Sequence, residues 1–212
     1  MQFDFEKLNA MEKYKLLTAT VVPRPIAWVV SRNLKGRLNC APFSFFNAFS
    51  GDPPVVCIGV GGRDGNPKDT ASNIHRTGEF VVNLVPEHLV KTMNITAIDF
   101  GPEVNELNEA ELETVPSTKI KVPRIAASPV AFECQRMVGL EIGAGRSIVV
   151  GRVLSMYVAD DAVLDESKCY VDTPKLHLVG RMHGAGWYSR TDDQFQVSRI
   201  DEKEWRTEPR DA

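Results

Sequence analysis

The chain has 212 residues, 43% hydrophobic and 25% charged, with a formal net charge of −3. That length holds one large domain or two small ones, and the composition is that of an ordinary soluble globular protein with a core of normal size. The slight acidity and the scatter of the basic residues exclude a general affinity for nucleic acid or for an anionic membrane surface.

From the N-terminus, Met11, Tyr14, Leu16 and Leu17 recur at helical spacing and predict a short amphipathic helix over residues 10–19, stopped by Pro23 and Pro25. Ile26 to Ser31 is β-branched and aromatic and reads as a strand, with Asn33-Leu34-Lys35-Gly36 as the turn into the next one. Val55 to Val60 is a continuous apolar run, expected to be buried on both faces or inside a barrel. A loop with Gly61, Gly62, Gly65 and Pro67 leads to a helix over Lys68 to Arg76, whose first turn Asp69 or Thr70 can cap and which Gly78 ends. Phe80 to Val85 is another strand, and Pro86 opens a second helix to about Asn94. Residues 96–127 hold two short polar helical pieces and several prolines, and Glu103, Glu106, Glu109, Glu111 and Glu113 read as a solvated face.

Pro129 to Ile142 and Ile148 to Val158 are long strands joined through Gly143-Ala144-Gly145, a strong hairpin signal. Leu176 to Arg181 is the last strand candidate before a glycine-rich, aromatic tail. Strands dominate without long intervening helices. The expected architecture is therefore mainly β, a closed or nearly closed antiparallel barrel with a few helices, in one domain over residues 1–212.

Cys40, Cys57, Cys134 and Cys169 form no C-x-x-C, and three of them sit in apolar, strand-like surroundings as small core residues. The four histidines show no metal-ligand spacing, so no metal is expected. No apolar run reaches the roughly 20 residues of a membrane helix. The expectation is a cytoplasmic protein with free thiols and no membrane partner.

Two regions carry the chemistry. Pro23-Arg24-Pro25-Ile26-Ala27-Trp28 and Ala41-Pro42-Phe43-Ser44-Phe45-Phe46-Asn47, closed by Asp52-Pro53-Pro54, offer a flat apolar wall beside unpaired backbone amides. A flavin ring suits that combination, being a large planar π-system edged by carbonyls and ring nitrogens. Gly59-Val60-Gly61-Gly62-Arg63-Asp64-Gly65 follows a strand and precedes a helix, but it matches neither G-x-G-x-x-G nor the P-loop, because its third glycine comes one place late and Pro67 precedes Lys68.

The second region, Lys68-Asp69-Thr70-Ala71-Ser72-Asn73, places a cation, a hydroxyl and free amides at a helix start, where a phosphate monoester is held. Taken alone, it also reads as a plain helix cap beside a solvated lysine. Arg24 reads as a surface residue or as the partner of a flavin carbonyl or phosphate. Trp28 reads as core or interface, most of Phe43, Phe45, Phe46 and Phe49 read as core, His183 as structural or at a pocket mouth, and Tyr188 stays open between the two roles.

In order along the chain, Arg24 to Val29, Ala41 to Asn47, Asp52-Pro53-Pro54, Lys68-Asp69-Thr70 with Asn73-Ile74, and Gly78 to Leu84 resemble the flavin reductase-like, FMN-binding split-barrel proteins. Flavoredoxin and the reductase components of two-component monooxygenases belong there. The likeness continues through Phe132-Glu133-Cys134 and Val150 to Val153, and closes with Gly180 to Gly184 and Trp187 to Asp193. It implies a Greek-key split barrel, dimeric, with FMN near the subunit interface. It further implies that Arg24, Pro25, Ile26, Ser44, Phe45, Phe46 and Asn47 line the ring and ribityl chain, that Lys68, Asp69, Thr70 and Asn73 take the phosphate, and that Tyr188 lies near the flavin. Trp187 beside Tyr188 departs from relatives that carry a tyrosine or a small residue there. The expected activity is reduction of FMN by NADH or NADPH and electron transfer to a partner oxygenase or other acceptor. A flavoredoxin-like carrier reduced by another protein and a non-catalytic FMN-binding protein are the alternatives.

Overall fold

A computed structural model describes residues 1–101 and 103–207; Pro102 and positions 208–212 of the expected domain lie outside the described residues. In chain order the elements that frame the molecule begin with α1 (Ala10–Thr20), β1 (Arg24–Pro25), β2 (Ala27–Arg32), β3 (Leu38–Phe43), β4 (Phe46–Gly51) and β5 (Pro54–Val60). They continue with α2 (Asp69–Thr77), β6 (Glu79–Asn83), α3 (Val90–Ile95), α4 (Glu106–Glu109), β7 (Val130–Gly143), β8 (Arg146–Val158), β9 (Val179–Arg181) and β10 (Tyr188–Arg190).

Seven strands form one antiparallel sheet in the order β3-β2-β6-β7-β8-β5-β4. Its two edges, β3 and β4, are consecutive in sequence yet do not pair, so the barrel is split between them rather than closed. The Gly59 N–H donates to the Phe45 carbonyl at 2.7 Å and extends the β4–β5 ladder by one rung into the β3–β4 link. A second small sheet, β1-β9-β10, brings the chain's end back to its beginning, with Arg24 opposite Arg181 and Arg181 opposite Tyr188.

β2 is the strand buried on both faces. Trp28 and Val30 enter one apolar cluster with Val81, Met93, Leu107 and Ile125, while Ala27 and Val29 enter another with Ile58, Phe80, Val82 and Cys134. α3, α4 and the excursion between β6 and β7 cover the first cluster, and Ala71 and Ile74 of α2 close the second. β5, expected to be buried on both faces or inside a barrel, is buried on one face: Val56, Ile58 and Val60 point inward and their neighbours are half-exposed. A run of valines does not reveal which of its faces is covered, because only tertiary neighbours decide that.

Local signals account for most boundaries. Asn9 and Glu12 form a capping box that starts α1, with each side chain accepting from the other's backbone N–H. α1 is nevertheless not an amphipathic core helix, because Met11, Tyr14 and Leu17 are exposed and Thr18 is its buried residue. Gly78 ends α2 at φ 75°, in the left-handed region glycine tolerates. The β7–β8 hairpin turns through Ala144 and Gly145, both at positive φ, and both strands run a residue or two beyond expectation. The last strand is shorter than expected, since His177 takes a left-handed conformation and the pairing begins at Val179. Cys40 and Cys134 are buried, Cys57 is half-buried and Cys169 is exposed; all four are free thiols. Among the described residues, no helix is long and apolar enough to cross a membrane.

Candidate functional site

β3 is an edge strand, so one side of its backbone has no strand neighbour, and a groove runs along it. At one end is a cavity of ≈ 180 Å³ walled mainly by Ile26, Pro42, Phe43, Met93 and Tyr188, with Ser44, Asn94 and Arg181 as its polar members. At the other is a cavity of ≈ 510 Å³ reached by Asn39, Ala41, Arg63, Lys68, Asp69 and Thr70, with Ile98, Asp99, Phe100 and Glu106 on its far wall. The two cavities share Pro42, Phe43 and Ala97 and so lie side by side as a groove along β3, mostly apolar at one end and charged at the other.

The charged end is built on the start of α2. Lys68 is the N-cap residue, with extended backbone angles, and its side chain makes no capping hydrogen bond. The first amides of α2 therefore face the groove without a side-chain cap, and neither Asp69 nor Thr70 caps the helix as the sequence suggested. The buried Thr70 hydroxyl accepts from Asn39 Nδ2 at 2.9 Å, which fixes both side chains against β3. Arg63 arrives on a two-residue turn, Asp64-Gly65, both at positive φ, that pairs Gly62–Arg63 with Asn66–Pro67. Arg63 is hydrogen-bonded to Asp99, and Lys68 Nζ lies 3.7 Å from the same carboxylate. The hydrogen bond from Arg63, aided by Lys68, holds the Asp99 carboxyl below the usual carboxylate range. One carboxylate thus keeps two cations side by side.

Glu106 closes the far wall. Its carboxylate accepts the Cys40 N–H at 3.0 Å, and burial raises its pKa despite that bond. The acidic cluster was expected to be wholly solvated; Glu106 is the member that is not, because α4 tucks Leu107 beneath β3 and carries Glu106 inward. Trp28 Nε1 donates to Thr96 Oγ1 at 2.9 Å, which in turn donates to the Met93 carbonyl at 2.7 Å. This buried chain sets the position of the Met93–Ala97 wall.

At the apolar end, Tyr188 is held by its neighbours in the small sheet. The Arg181 guanidinium lies 4.9 Å over its ring and donates to the carbonyls of Trp187 at 3.1 Å and Gly184 at 3.0 Å. His183 stacks on Trp187 with ring centroids 6.0 Å apart, outside the lining of the groove.

Of the residues singled out from sequence, Ile26, Ser44, Lys68, Asp69, Thr70 and Tyr188 line this groove. The others lie outside it. Arg24 is 4% exposed, and its guanidinium donates to the carbonyls of Thr18 and Val21, each at 2.7 Å, and Met182 at 2.9 Å, and to Ser44 Oγ at 3.4 Å. It is a strut behind the groove, not a free cation within it. Pro25 pairs with Gly180 in the small sheet.

Past Ser44 the chain turns onto the opposite edge of the sheet, which carries Phe45, Phe46 and Asn47 away. Phe45 meets Tyr14 edge-on at 6.2 Å, Phe46 packs on the second cluster, and Asn47 binds the backbone of Ala48. Asn73, four residues into the helix, faces the barrel and donates to Ser31 Oγ at 3.2 Å. Asn39, Arg63, Asp99 and Glu106 escaped the sequence reading. The Asp64-Gly65 pair was the available signal for Arg63, because it marks a tight hairpin that returns Arg63 toward Lys68.

Residues 19–185 match the family described as flavin reductase like domain. The chain belongs to the flavin reductase-like family. An uncharacterized protein of Deinococcus radiodurans is 45% identical over 209 residues, covering 96% of this chain and 92% of its own length. The crystal structure of the 2-nitrobenzoate 2-nitroreductase NbaA of Pseudomonas fluorescens superposes with a TM-score of 0.86 at 36% identity, over 94% of this chain and 96% of that one. That of nitrilotriacetate monooxygenase component B from Bacillus cereus gives a TM-score of 0.87 at 29% identity, over 93% and 98%. The antiparallel split barrel of this flavin reductase-like chain is thus the architecture of its family.

Proposed function

We propose that this member of the flavin reductase-like family is an FMN-dependent oxidoreductase that draws electrons from NADH or NADPH and delivers them to a partner oxygenase or another acceptor. The observation that carries the reading is the adjacency of the two cavities: a mostly apolar end and a cationic, amide-bearing end share Pro42, Phe43 and Ala97. A flat ring joined by a polyhydroxyl chain to a phosphate has the same order of chemistries. The combined space is of the size that small-molecule sites occupy, about 300–1,000 Å³.

FMN fits these residues. Lys68, Arg63 and the amides at the start of α2 suit a phosphate dianion. Asn39 and Thr70 offer hydrogen bonds at the height of the ribityl chain, and Ile26, Pro42, Phe43 and Met93 exclude water from the ring end. When bound, FMN supplies the hydride acceptance and onward electron transfer that the side chains of this groove do not. The protein's part is to orient the ring, with Tyr188 set by Arg181, and to leave one face open to a donor at close range. For the phosphate to be seated, Asp99 must release Arg63 and Lys68.

The similarity to a monooxygenase component B supports an oxygenase partner, and the similarity to a nitroreductase supports direct delivery to a small organic acceptor. We read the chain as one domain acting as a homodimer. Freshly purified protein is expected to carry or take up FMN and to bleach quickly with NADH or NADPH in the absence of oxygen. Slow bleaching by nucleotide but fast reduction by a protein donor would favour a flavoredoxin-like carrier, and protein that takes up no added FMN would sink the reading. Lys68→Ala is expected to weaken FMN binding about tenfold, the worth of one charge-assisted contact, while leaving riboflavin binding unchanged. Fluorescence titration of both flavins checks the phosphate assignment.

A further inference from the structure

A second, larger cavity of ≈ 710 Å³ lies on the other side of the Gly62–Pro67 turn, between the outer face of α2 and the β7–β8 hairpin. It shares Pro67 with the flavin groove, but none of the groove's apolar end. Its closed end is tightly packed. A Cβ at Gly145 would stand 2.2 Å from the Asn66 carbonyl, and one at Gly62 would stand 2.3 Å from the Ala144 carbonyl, so the hairpin tip rests backbone to backbone on the turn.

The walls are cationic. Arg76 and His75 come from the last turn of α2, Arg136 from β7 and Arg146 from β8, against one carboxylate, Glu141. Among the described residues, none of the three guanidiniums has a carboxylate within ion-pair distance. Arg136 Nε and Ser147 Oγ are also sealed from solvent with no hydrogen-bond partner. Buried polar atoms are ordinarily satisfied, so these two leave the wall short of partners, but they are sealed and a ligand in the cavity would meet the guanidiniums instead. Three unpaired guanidiniums name its charge, since the planar donor fork of arginine matches phosphate oxygens. Pro67, Ala71 and Val149 supply an apolar flank on the same cavity, and the volume far exceeds that of a lone phosphate.

We propose that this cavity is a second ligand site, specific for a nucleoside phosphate, with Arg76, Arg136 and Arg146 on the phosphate and the Pro67–Ala71 flank beside the nucleoside. It is separate from the flavin groove and does not depend on the flavin assignment. The test is calorimetric titration of the full-length protein with adenosine 2′,5′-bisphosphate at low salt, alongside inorganic pyrophosphate. The expected result is one saturable site per chain that weakens with added salt, binds the nucleotide more tightly than pyrophosphate, and is weakened at least tenfold in R76Q/R146Q.

Arg76 and Arg146 are exposed, so that pair of substitutions leaves the core intact; R136Q, at the half-buried position, is the second variant. Lys68→Ala should leave this titration unchanged, which separates the site from the groove even if FMN binding itself fails. Absence of saturable binding, equal affinity in R76Q/R146Q, or loss of binding in Lys68→Ala alone would each overturn the proposal. Pyrophosphate binding as tightly as the nucleotide would remove the nucleoside specificity. A shift of R76Q/R146Q in oligomeric state with no change in affinity would assign the cavity to a subunit contact instead.

Discussion

Arg24 shows how a single buried cation organises the approach to the groove. Its guanidinium ties the end of α1, through the carbonyls of Thr18 and Val21, to the Met182 carbonyl near the other end of the chain. Burial lowers its pKa, and those carbonyls are the compensation. Arg24→Met should strand them and cost about 3 kcal/mol, read as a lower midpoint in urea unfolding. Arg24→Lys should recover little of this, because an ammonium cannot span three separated acceptors.

Glu106 gives a pH signature from the same cause in the opposite direction. Burial raises its folded pKa, so in the window between the ordinary carboxylate pKa and that raised value the folded state holds more protons than the unfolded one. Stability therefore falls as pH rises through that window. Glu106→Gln keeps an acceptor for the Cys40 N–H and removes the charge, so its unfolding free energy should lose that slope and exceed the wild type at neutral pH. Urea titrations from pH 4 to pH 8 check this, and a slope unchanged in the variant would refute it.

At the scale of elements, the hairpin tip and the Gly62–Pro67 turn form one joint. Gly145 sits at φ 70° with no room for a Cβ against the Asn66 backbone. Gly145→Ala should push the tip off the turn and destabilise the fold by about 1–3 kcal/mol, and the loosened turn should carry Arg63 out of register with Lys68. A lower urea midpoint together with weaker FMN binding is the expected pair of readouts.

This joint marks the limit of what the sequence disclosed. The hairpin, the helix stop at Gly78 and the start of α2 were legible because each depends on a few adjacent residues and their allowed backbone angles. The groove was half legible. Lys68, Asp69 and Thr70 share one helix start, and Ile26, Ser44 and Tyr188 belong to recognisable segments. Asp99 and Glu106 reach the groove only because the excursion after β6 folds back over β3, which no local pattern announces. Arg24, Phe45, Phe46, Asn47 and Asn73 were assigned by their neighbours in sequence, and strand direction and helix phase then turned their side chains elsewhere.

The whole molecule has an apolar surface its own chain leaves uncovered. β7 and β8 outrun their neighbours: β6 pairs with β7 only from Ala131 to Gln135, while β7 continues to Gly143. Beyond Arg136 the β6 side of β7 is therefore an open edge. Met137 at 54% exposure, Leu140 at 51% and Ile142 at 60% stand on that arm, with Leu154 and Met156 exposed farther along β8. An open edge carrying large apolar side chains is a pairing surface, and a long flat one would aggregate unless something covers it. A second copy related by a two-fold axis covers such an arm with the same arm, because the contact is then self-complementary. Residues 139, 141 and 143 of the arm also line the second cavity, so a second copy on this arm would stand beside that cavity. Leu140→Glu with Ile142→Glu places four like charges across the two-fold contact. Sedimentation velocity at micromolar concentration should show a dimer for the wild type and a monomer for this variant, with the far-ultraviolet circular dichroism unchanged. A wild type that sediments as a monomer would leave the arm to some other partner and remove the dimer from the proposed function.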